Sequence, residues 1–231
     1  MRWFQYIHDL LHLFFPVLCK CCGRELRDGE VLICTHCHSD LPYTDFHIYL
    51  ANPLARQLWG RVPINASMAL LYFMKMSNVQ HLIHHIKYKR ELDLGIKMGN
   101  LMGLRIRSSP YYYQQDFIIP IPLHPKKLKK RGYNQSALLA TGIAEILEIP
   151  TREDLLIRIK ERQSQTFKNR FERFNDLMEV FAVPENEELK GKTVLLVDDV
   201  FTTGATIEAC AVKLLERGVG KINIATLAFV K

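Results

Sequence analysis

An apolar run from Thr193 to Val197 ends on two adjacent carboxylates, Asp198 and Asp199. Val200, Phe201, Thr202, Thr203, Gly204, Ala205 and Thr206 follow, and then a pattern with helical periodicity. A strand feeding such a turn presents unpaired backbone N–H groups at the positive end of a helix dipole, which is a cradle for phosphate. Thr202, Thr203 and Thr206 add hydroxyl donors, and Gly204 lets the backbone approach a ligand closely. Two carboxylates repel a phosphate, so they suit a neighbouring task. They can accept hydrogen bonds from sugar hydroxyls, or help to hold a metal that neutralises a polyphosphate. The ligand so described is a sugar with free vicinal hydroxyls and a phosphate close by. A pair of aspartates alone reads as an N-cap with surface charge; the full string behind an apolar strand is far more specific.

A second constellation lies near the start of the chain, where five of the six cysteines fall between positions 19 and 37. Cys19 with Cys22, and Cys34 with Cys37, form two C-x-x-C pairs separated by 11 residues. Such knuckles deliver four thiolates to the corners of a tetrahedron around zinc, with Gly23 permitting the first turn. Four thiolates leave no open position for water, so the site is expected to fold its segment and not to perform chemistry. Cys21 is surplus, and His36 and His38 are competing ligands. The odd number in the cluster argues against disulfides. Cys210, alone in an apolar helical pattern, reads as core.

The elements that must position these groups alternate along the chain. Strand patterns cover 62–73, 116–122, 155–159, 180–183, 193–198 and 221–230; helical patterns cover 78–89, 91–106, 134–148, 167–180 and 206–218. Apolar strands alternating with helices predict an α/β fold with a mostly parallel central sheet flanked by helices. In such sheets ligands bind at the carboxyl ends of the strands, where Asp198 and Asp199 stand. The expected organisation is an N-terminal helix and zinc-ribbon-like domain over 1–50, a linker near 45–60, and the α/β domain over 60–231. His81, His84 and His85 read as packing or solvent-facing residues among apolar neighbours.

The stretch from Val197 to Thr206 resembles the phosphoribosyl pyrophosphate (PRPP) binding loop of the type I phosphoribosyltransferases. The resemblance implies that Asp198 and Asp199 contact the ribose hydroxyls, as the catalytic pair if transfer occurs. It implies that Val200, Thr202, Thr203, Gly204, Ala205 and Thr206 wrap the 5′-phosphate, with Mg²⁺ accompanying PRPP. Residues 118–140, residues 158–183 and the cysteine-rich start followed by Ser39, Asp40, Leu41 and Pro42 resemble the ComF family of competence-associated proteins. That likeness covers nearly the whole chain and preserves motif order. It implies a zinc finger joined to a phosphoribosyltransferase fold, a role in DNA uptake during natural transformation, handling of single-stranded DNA and other competence proteins as partners.

Charge adds a surface to this picture. The net charge is +7, and residues 51–180 carry the excess, with 21 basic and 11 acidic groups. Lys126, Lys127, Lys129, Lys130 and Arg131 follow a strand end and, by position, resemble the pyrophosphate-side loop of the transferase fold. Five cations in six residues exceed the need of one pyrophosphate and suit a phosphodiester backbone, with Tyr133 able to stack on a base. Residues 158–176 resemble the mobile hood of amidophosphoribosyltransferase-like proteins, with Gln165, Arg170 and Arg173 as its candidate ligand contacts. Lys87, Lys89 and Arg90 are candidates to join the positive face. The N-terminal apolar run is broken by His8, Asp9 and His12 and reads as an amphipathic helix, so a cytoplasmic protein is expected. The competing readings are a metabolic phosphoribosyltransferase acting on a nucleobase or amine with release of pyrophosphate, and a regulator that senses PRPP without turnover.

Overall fold

The computed structural model describes residues 16–159 and 178–231. After the cysteine-rich start come α1 (Thr35–Asp40), a 3-10 turn (Phe46–Ile48) and α2 (Pro53–Leu58). The body continues with β1 (Ala66–Phe73), α3 (Asn78–Tyr88), α4 (Leu92–Ser108), β2 (Phe117–Pro120), α5 (Pro125–Arg131) and α6 (Gln135–Leu147). Two short strands, β3 (Ile157–Arg158) and β4 (Phe181–Ala182), precede β5 (Thr193–Phe201), α7 (Ala205–Glu216) and β6 (Lys221–Val230).

The main sheet has the order β1-β6-β5-β2, and every pairing in it is parallel. Parallel neighbours need crossover connections, and helices supply each of them. Val194 to Val197 on β5 and Ile222 to Phe229 on β6 are buried throughout, as expected of strands covered on both faces. Helices α4 and α6 pack so closely that their backbones touch. A Cβ on Gly99 would meet the Leu139 carbonyl oxygen at 2.2 Å, and one on Gly142 would meet that of Ile96 at 2.1 Å. Neither position has room for a side chain. The outer side of β1 receives residues 42–44: Thr44 N–H donates to the Leu70 carbonyl (3.1 Å) and Tyr72 N–H to that of Pro42 (2.8 Å). Residues 150–152 do the same for β2, through Ile118 N–H to Pro150 (3.0 Å) and Arg152 N–H to Ile118 (2.9 Å).

The strand carrying the two carboxylates does not stop at them. It runs on to Phe201, because the apolar β6 remains alongside to pair Asp198 with Thr226, Val200 with Ala228 and Phe201 with Phe229. Phe201 then stacks on Phe229 with ring centroids 5.8 Å apart, closing the core beneath the turn. The patterns at 155–159 and 180–183 do form strands, but two-residue ones that pair antiparallel in a separate small sheet.

Residues 45–60 form packed structure and not a bare linker. Asn52 caps α2 by accepting from Ala55 N–H (3.0 Å), and its amide donates to the Ser67 carbonyl on β1 (2.7 Å). Leu54 and Leu58 are fully buried beneath. The basic segment after β2 is the short helix α5 and not a loop, with Pro125 in its first turn and Gly132 closing it at φ +87°. The helical patterns at 1–15 and over most of 167–180 lie outside the described residues, as do Gln165, Arg170 and Arg173. Among the described residues no helix is long and apolar enough to cross a membrane.

Candidate functional site

At the carboxyl end of β5 a cleft of about 530 Å³ opens, lined by Asp198, Asp199, Val200, Thr202 and Thr206 from the turn sequence. The remaining wall comes from other elements, including Lys87 of α3 and Ser136 of α6. The turn itself is shaped by Gly204, which stands at φ +73° at the N-cap of α7. Having no side chain, it makes no capping bond to the first N–H groups of the 12-residue helix, whose first turn reaches the cleft through Thr206. A Cβ at Gly204 would lie 2.6 Å from Phe201 Cζ and 3.0 Å from Leu58 Cδ2, so glycine is required on packing grounds as well. Thr202 is exposed and Thr206 half-buried; Thr203 is exposed and, with Gly204 and Ala205, stands outside the lining.

The carboxylates are not equivalent. Asp198 accepts hydrogen bonds at Oδ1 from Ser136 Oγ (3.1 Å) and Asp199 N–H (2.8 Å). Burial first, and then the adjacent Asp199 charge, push the Asp198 carboxyl up to about 7. Asp199 is 7% exposed and pairs through Oδ2 with Lys87 Nζ at 2.5 Å. Ser136 reaches its place because Asn134 caps α6, accepting from Ser136 N–H (3.1 Å), and donates to the Ile121 carbonyl just beyond β2 (3.0 Å). The turn between β5 and α7 is braced from outside by Arg61. Its guanidinium donates to the carbonyls of Thr203 (2.8 Å) and Gln57 (2.9 Å) and pairs with Glu208, buried in the first turn of α7.

Sequence reasoning missed Ser136 and Arg61. The Asn134 cap ahead of a helix start was the signal for Ser136; for Arg61 no local signal exists, since its partners at the turn, Thr203 and Glu208, lie more than 140 residues away.

The basic residues divide. Lys126, Lys127, Lys129 and Lys130 lie on the exposed surface of α5, outside the cleft lining. Arg131 places its guanidinium 5.2 Å over the Tyr88 ring, which lines the cleft, and donates to Gln135. The Tyr133 hydroxyl donates to the Ile86 carbonyl (2.6 Å), so Tyr133 fastens the end of the basic segment to α3.

The cysteine cluster assembles as its spacing predicts. One sulfur each from Cys19, Cys22, Cys34 and Cys37 lies within 4.8 Å of the others. A tetrahedral zinc–thiolate centre with bonds of about 2.3 Å needs sulfurs about 3.8 Å apart, and the Cys22 and Cys34 sulfurs are separated by 3.8 Å. Backbone N–H groups point at sulfur, Cys34 N–H to Cys19 Sγ (3.3 Å) and Cys37 N–H to Cys34 Sγ (3.5 Å), as in metal knuckles whose ligands are oriented by outer contacts. The Arg24 N–H leads the contacts that lower the Cys22 thiol to about 6, while burial holds Cys37 far above the ordinary thiol range. The donor set can thus hold a metal ion. The Cys21 thiol reaches the Asn78 carbonyl (3.9 Å) and His36 engages Asp40 (3.2 Å); the four-sulfur cluster includes neither of them, nor His38.

Comparison with known proteins agrees with this geometry. The phosphoribosyl transferase domain model matches residues 133–231, which contain the whole β5–α7–β6 unit. Competence protein F of Haemophilus influenzae is 29% identical over 94% of this chain and 93% of its own length. The DNA utilization protein YhgH of Escherichia coli K12 is 26% identical, with 90% and 88% covered. Competence protein ComFC of Bacillus subtilis is 37% identical over 48% of this chain and 43% of that protein. With a phosphoribosyl transferase domain behind an N-terminal cysteine cluster, and relatives aligned along nearly its whole length, the chain is similar to competence protein F and the DNA utilization protein YhgH, and in part to ComFC.

Proposed function

We propose that the cleft binds PRPP or a closely related ribose phosphate, and that the protein handles single-stranded DNA as part of DNA uptake. The observation that carries the ligand reading is the juxtaposition of Asp198 and Asp199 with the uncapped, glycine-shaped start of α7. Carboxylates accept the two ribose hydroxyls while backbone N–H groups and the hydroxyls of Thr202, Thr203 and Thr206 hold the 5′-phosphate. Mg²⁺ accompanying the ligand neutralises its pyrophosphate. The relatives' names supply the DNA half of the reading, and the exposed cations of α5 are its physical counterpart. We further assign zinc to the four-cysteine cluster, as a structural ion. A thiolate metal centre needs reduced cysteines, which supports a cytoplasmic setting.

One test measures PRPP and single-strand binding side by side in wild type and in the doubly substituted Asp198→Ala/Asp199→Ala protein. PRPP binding is expected to vanish while DNA binding persists, with log Kd for DNA varying steeply with log salt. Wild-type protein that ignores PRPP, or a salt slope near zero, would falsify the corresponding half.

A second reading, transfer of ribose 5-phosphate to an acceptor, is favoured by the Asp198 carboxyl at about 7, where a general base works best near neutral pH. Pyrophosphate release across a panel of nucleobases and amines decides it.

A further inference from the structure

The ribose-phosphate reading leaves Lys87 without a role, yet it occupies the oxygen that a ribose hydroxyl would use. Lys87 stands in the last turn of α3 with its side chain 23% exposed, and its Nζ meets Asp199 Oδ2. Among the described residues no hydrogen-bond donor reaches that oxygen with proper geometry, so the ammonium is its electrostatic compensation. A ligand diol and Lys87 therefore compete for one acceptor.

The neighbours of Lys87 hold the helix turn that carries it. On one side of it in sequence, the Ile86 carbonyl accepts from Tyr133; on the other, the Tyr88 ring carries the Arg131 guanidinium. Both contacts come from the end of the basic segment that follows β2. The last turn of α3 is thus pinned between the carboxylates and the most cationic part of the molecule. A lysine ammonium on a four-carbon stem can travel between them by rotation of its own side chain, with the helix fixed.

We infer that Lys87 changes partners when the cleft fills, and this rests on the ribose-phosphate reading above. In the empty site it neutralises Asp199. Once the ribose diol takes that carboxylate, the ammonium pairs with the pyrophosphate on the ribose C1. The exchange makes Lys87 a specificity residue: PRPP offers the released cation an anion, whereas ribose 5-phosphate displaces it and offers nothing in return.

The test is calorimetric. Kd values for PRPP and for ribose 5-phosphate, each with Mg²⁺, are measured for wild type, Lys87→Met, Lys87→Arg and Asp199→Asn. A charge-assisted hydrogen bond to the pyrophosphate sets the expected effect in Lys87→Met, a fall of roughly tenfold to a hundredfold in the preference for PRPP over ribose 5-phosphate. Lys87→Arg should keep most of the preference. Asp199→Asn should weaken both ligands together and leave their ratio nearly intact. A Lys87→Met protein that binds both ligands with an unchanged ratio overturns the proposal, even if both affinities drop. Should Lys87→Met not fold, Lys87→Gln is read by the same ratio. Wild-type protein that binds neither ligand fails at the earlier step and removes the ribose-phosphate reading itself.

Discussion

At the scale of single residues, Asp198 makes folding stability depend on pH between about 4 and 7. Its carboxyl is raised to about 7 from an ordinary value of 3.8, so the folded state holds a proton that the unfolded chain has already released. The sign follows from linkage. Below about pH 4 both states are protonated and Asp198 adds nothing; between about 4 and 7 its contribution becomes steadily less favourable, and the loss is complete above 7. Asp198→Asn should therefore gain stability relative to wild type as pH rises across this window, read as the difference in urea midpoints at pH 5 and pH 8. Equal differences at both values would show that Asp198 does not titrate there. The comparison with the variant matters because buried His47 and half-buried His85, lowered by desolvation, favour the folded state as pH rises. Arg61 supplies a second prediction. Arg61→Ala leaves the Glu208 carboxylate buried without its partner and should cost about 3 kcal/mol. The double substitution Arg61→Ala/Glu208→Gln should recover part of that cost, measured by a double-mutant cycle in denaturant.

At the scale of elements, the turn from β5 into α7 is where backbone geometry leaves least freedom. Gly204→Ala places a Cβ in a left-handed residue against Phe201, and the combined backbone strain and overpacking should cost about 2–4 kcal/mol. The expected readouts are a lower melting temperature and weaker PRPP binding; a variant with wild-type values in both would show the turn to be more plastic than its packing implies. This element was legible from residues 193–206 because an apolar run, two carboxylates, threonines and glycine all sit in one continuous stretch. Its length was not. Aspartate is a poor strand former, so a local reading ends the strand at Asp198, whereas the pairing that extends it to Phe201 comes from the distant β6. Helix α5 escaped for the opposite reason. It has no buried residue and so no apolar periodicity, and only Pro125 at its start and Gly132 at its end announce it. Lys87 and Arg61 reach the site by tertiary packing, which no local pattern encodes, whereas Ser136 is announced only by the Asn134 cap before its helix.

At the scale of the whole molecule, the cysteine-rich segment is fastened to the sheet and not hung from it. Lys20 pairs with Glu91 at the start of α4 (2.7 Å), Cys21 sits against α3, and residues 42–44 lie along β1. Loss of the metal should therefore be felt by the entire fold. On the zinc assignment proposed above, wild type carries about one ion per chain by elemental analysis and Cys37→Ala is expected to lose it. It should also lower the melting temperature of the main calorimetric transition, where an unchanged transition would mean that the two parts are energetically separate.

The segments running beside β1 and β2 have a further effect on assembly. Parallel sheets usually expose two rows of backbone donors and acceptors at their edges, and a partner can join by adding a strand there. Here residues 42–44 and 150–152 already occupy part of both edges. Recruitment of another protein by β-augmentation would first have to strip away a segment of this chain. Partners are accordingly expected to read its helices and charged surface, and the sheet is shielded from edge-to-edge aggregation.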